Sequence, residues 1–195
     1  MVARRCALAL VTLMLAATPL FAHPHVWADI RVELTVDSGH VDGFWVDILF
    51  DDIYSHMVLM DIAPGTTSLD DKARSAIGQG YFRDLRFFDY FGHLTLGDKP
   101  IKVPSPEKFS ASVDAQHRLA YLFYLPLRLD LSPAQTLKVS FYDDSYYFDL
   151  EWANSIPLLF HATGKGKGTA KLLPFPDKAF YGGVIPSFAV FSWGG

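Results

Sequence analysis

The chain has 195 residues, 50% of them hydrophobic and 15% aromatic, with a formal net charge of −4. That size and apolar content suit one domain with a real core, and the acidic balance argues against a nucleic-acid partner. Cys6 is the only cysteine, which excludes an intramolecular disulfide and any cluster of thiolate ligands.

Residues 1–22 have the layout of a secretory signal: Arg4 and Arg5, the apolar run Cys6 to Leu15, then Ala16-Ala17-Thr18-Pro19 and a small residue at Ala22. Leu20 at the −3 position leaves the neighbouring cut sites open. A cut after Ala22 makes His23 the first residue of a periplasmic protein. The apolar run is short for a membrane span, so no span is expected once the segment is removed. Cys6 precedes that run, the wrong place for lipidation. Loss of Arg4 and Arg5 takes 17 Lys and Arg to 15 against 21 Asp and Glu, a mature net charge of −6. A cationic partner or a metal ion suits such a surface.

From His25 to Asp37 the alternation predicts a half-buried strand, with Val26, Ala28, Ile30, Val32, Leu34 and Val36 on one face. A second strand from Val41 turns Phe44, Val46, Ile48 and Phe50 to the same face. The loop Ser38-Gly39-His40 joins them. Pairing Asp37 with Val41 sets Leu34 against Phe44, Val32 against Val46, Ile30 against Ile48 and Ala28 against Phe50, and Arg31 against Asp47 outside. A slip of one residue would mix the faces. Extended, the register puts Trp27 beside Asp51 and carries His25 toward Asp52 and Ile53. The predicted core includes Ile30, Val32, Leu34, Phe44, Val46, Ile48 and Phe50.

After Phe50 the spacing turns helical, with Ile53, Met57 and Met60 recurring until Pro64-Gly65. Ser68 and Asp71 form a capping box for a second helix whose apolar face is Leu69, Ala73, Ala76 and Ile77. Tyr81 to Phe91 continues the helix or enters a strand. Strands follow at His93–Leu96, Ile101–Val103, Lys108–Val113 and Arg118–Leu131. Thr136–Tyr142 and Tyr146–Trp152 pair about the turn Asp143-Asp144-Ser145. Ala162–Lys171 is a flexible Gly/Lys loop, and Leu172–Gly195 an irregular apolar tail. The fold class is α+β, an antiparallel β-rich, sandwich-like domain over 23–160 with a two-helix excursion at about 51–90; 161–195 are loop and tail.

Chemistry gathers in few places. His23, with its free amine, His25, Asp51, Asp52 and His56 offer imidazole and carboxylate donors suited to zinc, nickel, cobalt or copper. Pro24 has no amide hydrogen, which disfavours a chelate through deprotonated backbone amides and leaves an amine-plus-imidazole mode. The plainer alternative is a set of ordinary surface groups. Asp143 and Tyr146 lie in Tyr142-Asp143-Asp144-Ser145-Tyr146-Tyr147, which is also ordinary turn chemistry. Gly164-Lys165-Gly166-Lys167-Gly168 lacks phosphate-loop spacing, so no nucleotide is expected. His40, His93, His117 and His161 are scattered singly. No nucleophile with an evident base appears, which argues against an enzyme.

His23-Pro24-His25-Val26-Trp27 after a signal, Phe50-Asp51-Asp52 closing the second strand, and Tyr142 to Tyr147 together resemble the DUF1007 family of bacterial periplasmic proteins, over most of the mature chain to about Trp152. The family's His-Pro-His falls on His23, Pro24 and His25. Its Phe-Asp-Glu falls on Phe50, Asp51 and Asp52, with Asp in place of Glu. Its Tyr-Asp-Pro-Thr-Tyr-Tyr falls on Tyr142 to Tyr147, with Asp144 and Ser145 in place of Pro and Thr; Trp27, Asp143 and Tyr146 are further motif residues. Many relatives carry a calcium-loop-like segment between the helices, but Asp61 to Thr67 offers too few oxygen ligands here. Members are often labelled components of an uncharacterised ABC-type transport system and tend to be encoded beside nickel/cobalt- or zinc-type transporters. The resemblance implies a non-enzymatic accessory protein that binds a divalent transition metal and works with an inner-membrane metal transporter. Two rivals stand beside it: a copper redox enzyme using an N-terminal histidine, and a metal-free interaction domain gripping its partner with Trp27 and Trp45.

Overall fold

The computed structural model describes residues 25–65, 68–131, 135–175, 178–180 and 183–194. His23 lies outside them. Strand β1 (Val26–Asp37) and strand β2 (His40–Phe50) form the antiparallel pair that the alternation predicts. Ala28 faces Phe50, Ile30 faces Ile48, Val32 faces Val46 and Leu34 faces Phe44, all buried; Arg31 meets Asp47 outside at 3.8 Å. The turn departs from expectation. Ser38 and Gly39, at φ 50° and 88°, make a two-residue turn, so Asp37 pairs with His40 rather than Val41. A bulge between Leu34 and Val36 absorbs the one-residue difference and keeps the apolar faces matched.

Asp51 caps helix α1 (Asp52–Ile62), its Oδ1 accepting from the Tyr54 N–H at 2.7 Å. The apolar residues that suggested this helix face outward: Ile53, Met57 and Met60 are 72%, 51% and 54% exposed. The inner face is instead Tyr54, Ser55, Val58 and Leu59. Two contacts select it. The Tyr54 ring lies 4.5 Å from that of Phe50, and the buried Ser55 hydroxyl accepts the Leu119 N–H at 2.8 Å. Helix α2 (Asp71–Ile77) is capped by Asp70, not by Ser68, and buries Ala73 and Ile77 while Ala76 is exposed. The aromatic stretch continues through a π-turn at Gly78–Phe82 and a 3-10 turn that begins at Leu85, then leaves helical geometry at Phe88, Asp89 and Tyr90 before β3.

The later strands are β3 (Gly92–Leu96), β4 (Lys99–Ile101), β5 (Lys108–Val113), β6 (Leu119–Asp130), β7 (Thr136–Phe141), β8 (Phe148–Trp152), β9 (Leu158–Thr163), β10 (Lys167–Pro174) and β11 (Ser187–Gly194). They build two sheets. One runs β5-β6-β2-β1-β8, with β9 also pairing with β1; the other runs β10-β11-β7-β3-β4. Their inner faces meet in one core, where Phe44 packs edge-on to Phe141 and Phe160 packs against Phe191. The protein is thus α+β and mostly antiparallel, two sheets with its helices after the second strand.

Two expectations about the later chain are corrected. β7 and β8 do not pair with each other: β7 lies between β3 and β11, and β8 runs parallel to β1 in the other sheet. The stretch expected to be a flexible loop and an irregular tail instead takes in the end of β9 and the strands β10 and β11. β9 ends on β1, and β11 pairs with β7 and β10. Gly164, at φ 76°, turns so close to Ser38 that a Cβ there would meet its Oγ at 2.0 Å, so the Gly/Lys segment is docked on the first hairpin. Among the described residues no helix is long and apolar enough to cross a membrane.

Candidate functional site

β1 has a neighbour on each side at its first residues, and this draws three distant segments together. The His25 and Val26 N–H groups both donate to the Tyr147 carbonyl, at 2.9 and 3.2 Å. On the other side the Asp51 N–H donates to the Trp27 carbonyl at 2.8 Å, and the Trp27 N–H donates to Asp51 Oδ2 at 2.7 Å. Asp51 therefore spends both carboxylate oxygens on backbone, one on β1 and one on α1. It holds a strand start and a helix start in fixed relation.

Asp143 does the same for the third segment. It is buried, and its oxygens accept from Ser145 N and Oγ at 2.9 and 2.7 Å and from Tyr147 N and Phe148 N at 3.1 Å each. These bonds close the turn in which Tyr146 has φ 55°, and they aim the Tyr147 carbonyl at β1. The Tyr146 hydroxyl donates to Asp149 Oδ2 at 3.3 Å, and its ring stacks 5.1 Å from Phe180.

The expected metal residues are divided among three places. The His25 ring is exposed and 5.0 Å from the Tyr147 ring. Asp51 lines a cleft of about 190 Å³ beneath Trp27, with Asp29, Asp149 and Glu151 as its other acids. Arg118, the one cation among its lining residues, is held by Asp114 at 2.9 Å. Burial raises the Asp149 carboxyl above the usual range, against the lowering effect of the Tyr146 bond. Asp52 and His56 are exposed on α1 and line a wider cleft of about 660 Å³, together with Ile53, Met60 and His117. Among the described residues no three His, Cys, Asp or Glu side chains stand so that they could hold one metal ion.

Three residues at this rim escaped the sequence reading. Asp149 and Glu151 join it because β8 runs parallel to β1, pairing Trp27 with Asp149 and Asp29 with Glu151. Parallel neighbours far apart in the chain leave no local signal; only the outward parity of both acids was there to find. His117 arrives on the β5–β6 hairpin, where its N–H donates to the Asp114 carbonyl at 3.0 Å.

These motif segments, in this order, match the family described as a protein of unknown function, DUF1007, over residues 8–170. The chain belongs to the DUF1007 family. It is 38% identical over 138 residues to an uncharacterized 15.5 kDa protein in the trpE 3' region of Spirochaeta aurantia, covering 70% of this chain and 98% of that one. It is 25% identical over 153 residues to an uncharacterized protein of Haemophilus influenzae, covering 75% of this chain and 70% of that one. Within this DUF1007 protein, Asp51 and Asp143 are the anchors that hold the motif rim together.

Proposed function

We propose that this DUF1007 protein is a non-enzymatic periplasmic accessory protein that takes up a divalent transition ion, zinc, nickel, cobalt or copper, as cargo and acts with an inner-membrane metal transporter. The observation that supports the reading is the meeting of all three motif segments at the start of β1, through the bonds of Tyr147 to His25 and Val26 and of Asp51 to Trp27. Asp51 positions the strand. The donors in this reading are the His23 amine and ring, His25, and the exposed Asp52 and His56 at the start of α1. The acids around Trp27 add a negative potential that attracts cations to this end. Because the described residues alone make no metal cluster, the reading requires the amine and ring of His23. Adding one residue before His23 should weaken zinc or nickel uptake by at least tenfold in calorimetry. Equal affinities in the two forms would remove the amine from the site.

A second reading has its own support. Trp27, Tyr147, Ile53, Met57 and Met60 are 45–72% exposed, an apolar surface of the kind that marks a protein partner. In that reading the protein is a metal-free interaction domain of a transport complex. Met57→Glu would then abolish co-purification with an inner-membrane partner and leave metal uptake unaffected.

A further inference from the structure

The outer face of the second sheet carries a cavity of about 600 Å³, a size typical of small-molecule sites. Its floor comes from cross-strand rows. His93, Ser140 and Phe188 stand in register on β3, β7 and β11, with Thr95 and Lys138 in the row beside them. The alternate residues Leu94, Val139 and Ala189 point into the core. Ile101, the last residue of the short edge strand β4, and Val103 beyond it form one apolar wall, and Phe175 the other.

Three side chains of the lining can hold an anion: Ser140, Lys138 and Lys102. Ser140, only 4% exposed, lines the cavity and brings a hydroxyl to its floor. The Lys138 ammonium sits 6.0 Å from the centre of the Phe188 ring, and its acidic neighbour, Asp98 at 3.8 Å, is fully exposed. Such a pair is weak, so the ammonium is available to a better-placed anion. Lys102 adds a second cation to the lining, and Asp89 is the remaining acid. The end of the cavity is fixed by His93, whose Nε2 donates to the Tyr142 carbonyl at 3.1 Å while its ring stacks 3.5 Å from that of Tyr142. Asp89, on the lining, opens a run of three successive non-glycine residues, Asp89, Tyr90 and Phe91, at φ 47°, 52° and 61°.

We propose that this cavity binds a small amphipathic monocarboxylate, its apolar body between Phe188, Phe175 and Val103 and its carboxylate on the Lys138 ammonium and the Ser140 hydroxyl. The site is separate from the motif rim and its test does not depend on metal. The probes are 3-phenylpropanoate, its neutral amide 3-phenylpropanamide, and 3-phenylpropylamine, titrated into the 15N-labelled protein. The expected result is saturable shifts at the amides of residues 93–95, 138–142 and 188–190, with the carboxylate bound at least tenfold tighter than the amide and the amine weakest. Lys138→Met keeps the aliphatic stem and should reduce carboxylate affinity at least tenfold while changing that of the amide less than twofold. Ser140→Ala should weaken the carboxylate severalfold, and an unchanged amide spectrum away from the cavity certifies the fold of each variant. No shift at these amides up to 10 mM probe overturns the proposal. So does an amine that binds as well as the carboxylate, or an affinity that Lys138→Met leaves unaltered.

Discussion

Asp51 shows how one side chain can be both a family motif and a structural device. Its two oxygens serve Trp27 on β1 and Tyr54 on α1, so Asp51→Ala removes a helix cap and also orphans a strand N–H. The expected loss is about 2 kcal/mol, read as a lower urea midpoint at unchanged slope. Asp143 accepts from four donors inside a buried turn. Asp143→Ala should cost more, about 3 kcal/mol, and should also free the Tyr147 carbonyl from its alignment with β1. His93 supplies a pH test. Burial holds its imidazole below the usual value, and the bond to the Tyr142 carbonyl only partly offsets this. The unfolded chain therefore takes the proton first. This contribution to stability is complete above about pH 6.5 and is lost as pH falls toward the folded value. Between pH 7.5 and 5.5 the wild type should lose more thermal stability than His93→Gln; equal losses would show that His93 is not held neutral by the fold.

Legibility differs between elements for physical reasons. The β1–β2 pairing was readable because one buried face forces the register, and a slip would have buried Arg31 or Asp47. The bulge at Leu34–Val36 was not, since it follows from a turn only two residues long. In α1 both faces carry apolar residues, Ile53, Met57 and Met60 on one and Tyr54, Val58 and Leu59 on the other. Periodicity alone finds the helix and cannot choose the face; the contacts of Tyr54 with Phe50 and of Ser55 with Leu119 make the choice. Val58→Ala should therefore cost about 2–3 kcal/mol through lost burial and a cavity. Met57→Gln should stay within about 0.5 kcal/mol. Similar unfolding midpoints for the two variants would mean that the helix packs by its other face. The turn at Asp143 to Ser145 was found, but its flanking strands enter different sheets, and nothing local distinguishes that from a hairpin.

At the scale of the whole molecule, the last third of the chain completes both sheets. β8 and β9 extend the first beside β1, and β10 and β11 are two of the five strands of the second. Prolines and glycines disguised these strands, because Gly164 and Gly166 at positive φ and Pro186 punctuate segments that are each short. The same topology gathers residues 25–27, 51–56 and 143–149 at one end, so the candidate site was legible as residue types and illegible as a shape. The five ligands expected from the sequence divide between the start of β1 and two clefts, with His23 outside the described residues and Asp51 taken up by backbone bonds. Metal uptake at that end is what the proposed function requires. The decisive measurement is the calorimetric titration of zinc, nickel, cobalt and copper into protein beginning at His23, at pH 7.4 and at pH 5.5. The account predicts at least one metal bound at a Kd below roughly 10 μM, about 7 kcal/mol. Affinity should fall steeply at the lower pH, where amine and imidazole hold their protons, and should be lost in His25→Ala. No metal bound tighter than this, or binding indifferent to His25, would contradict it.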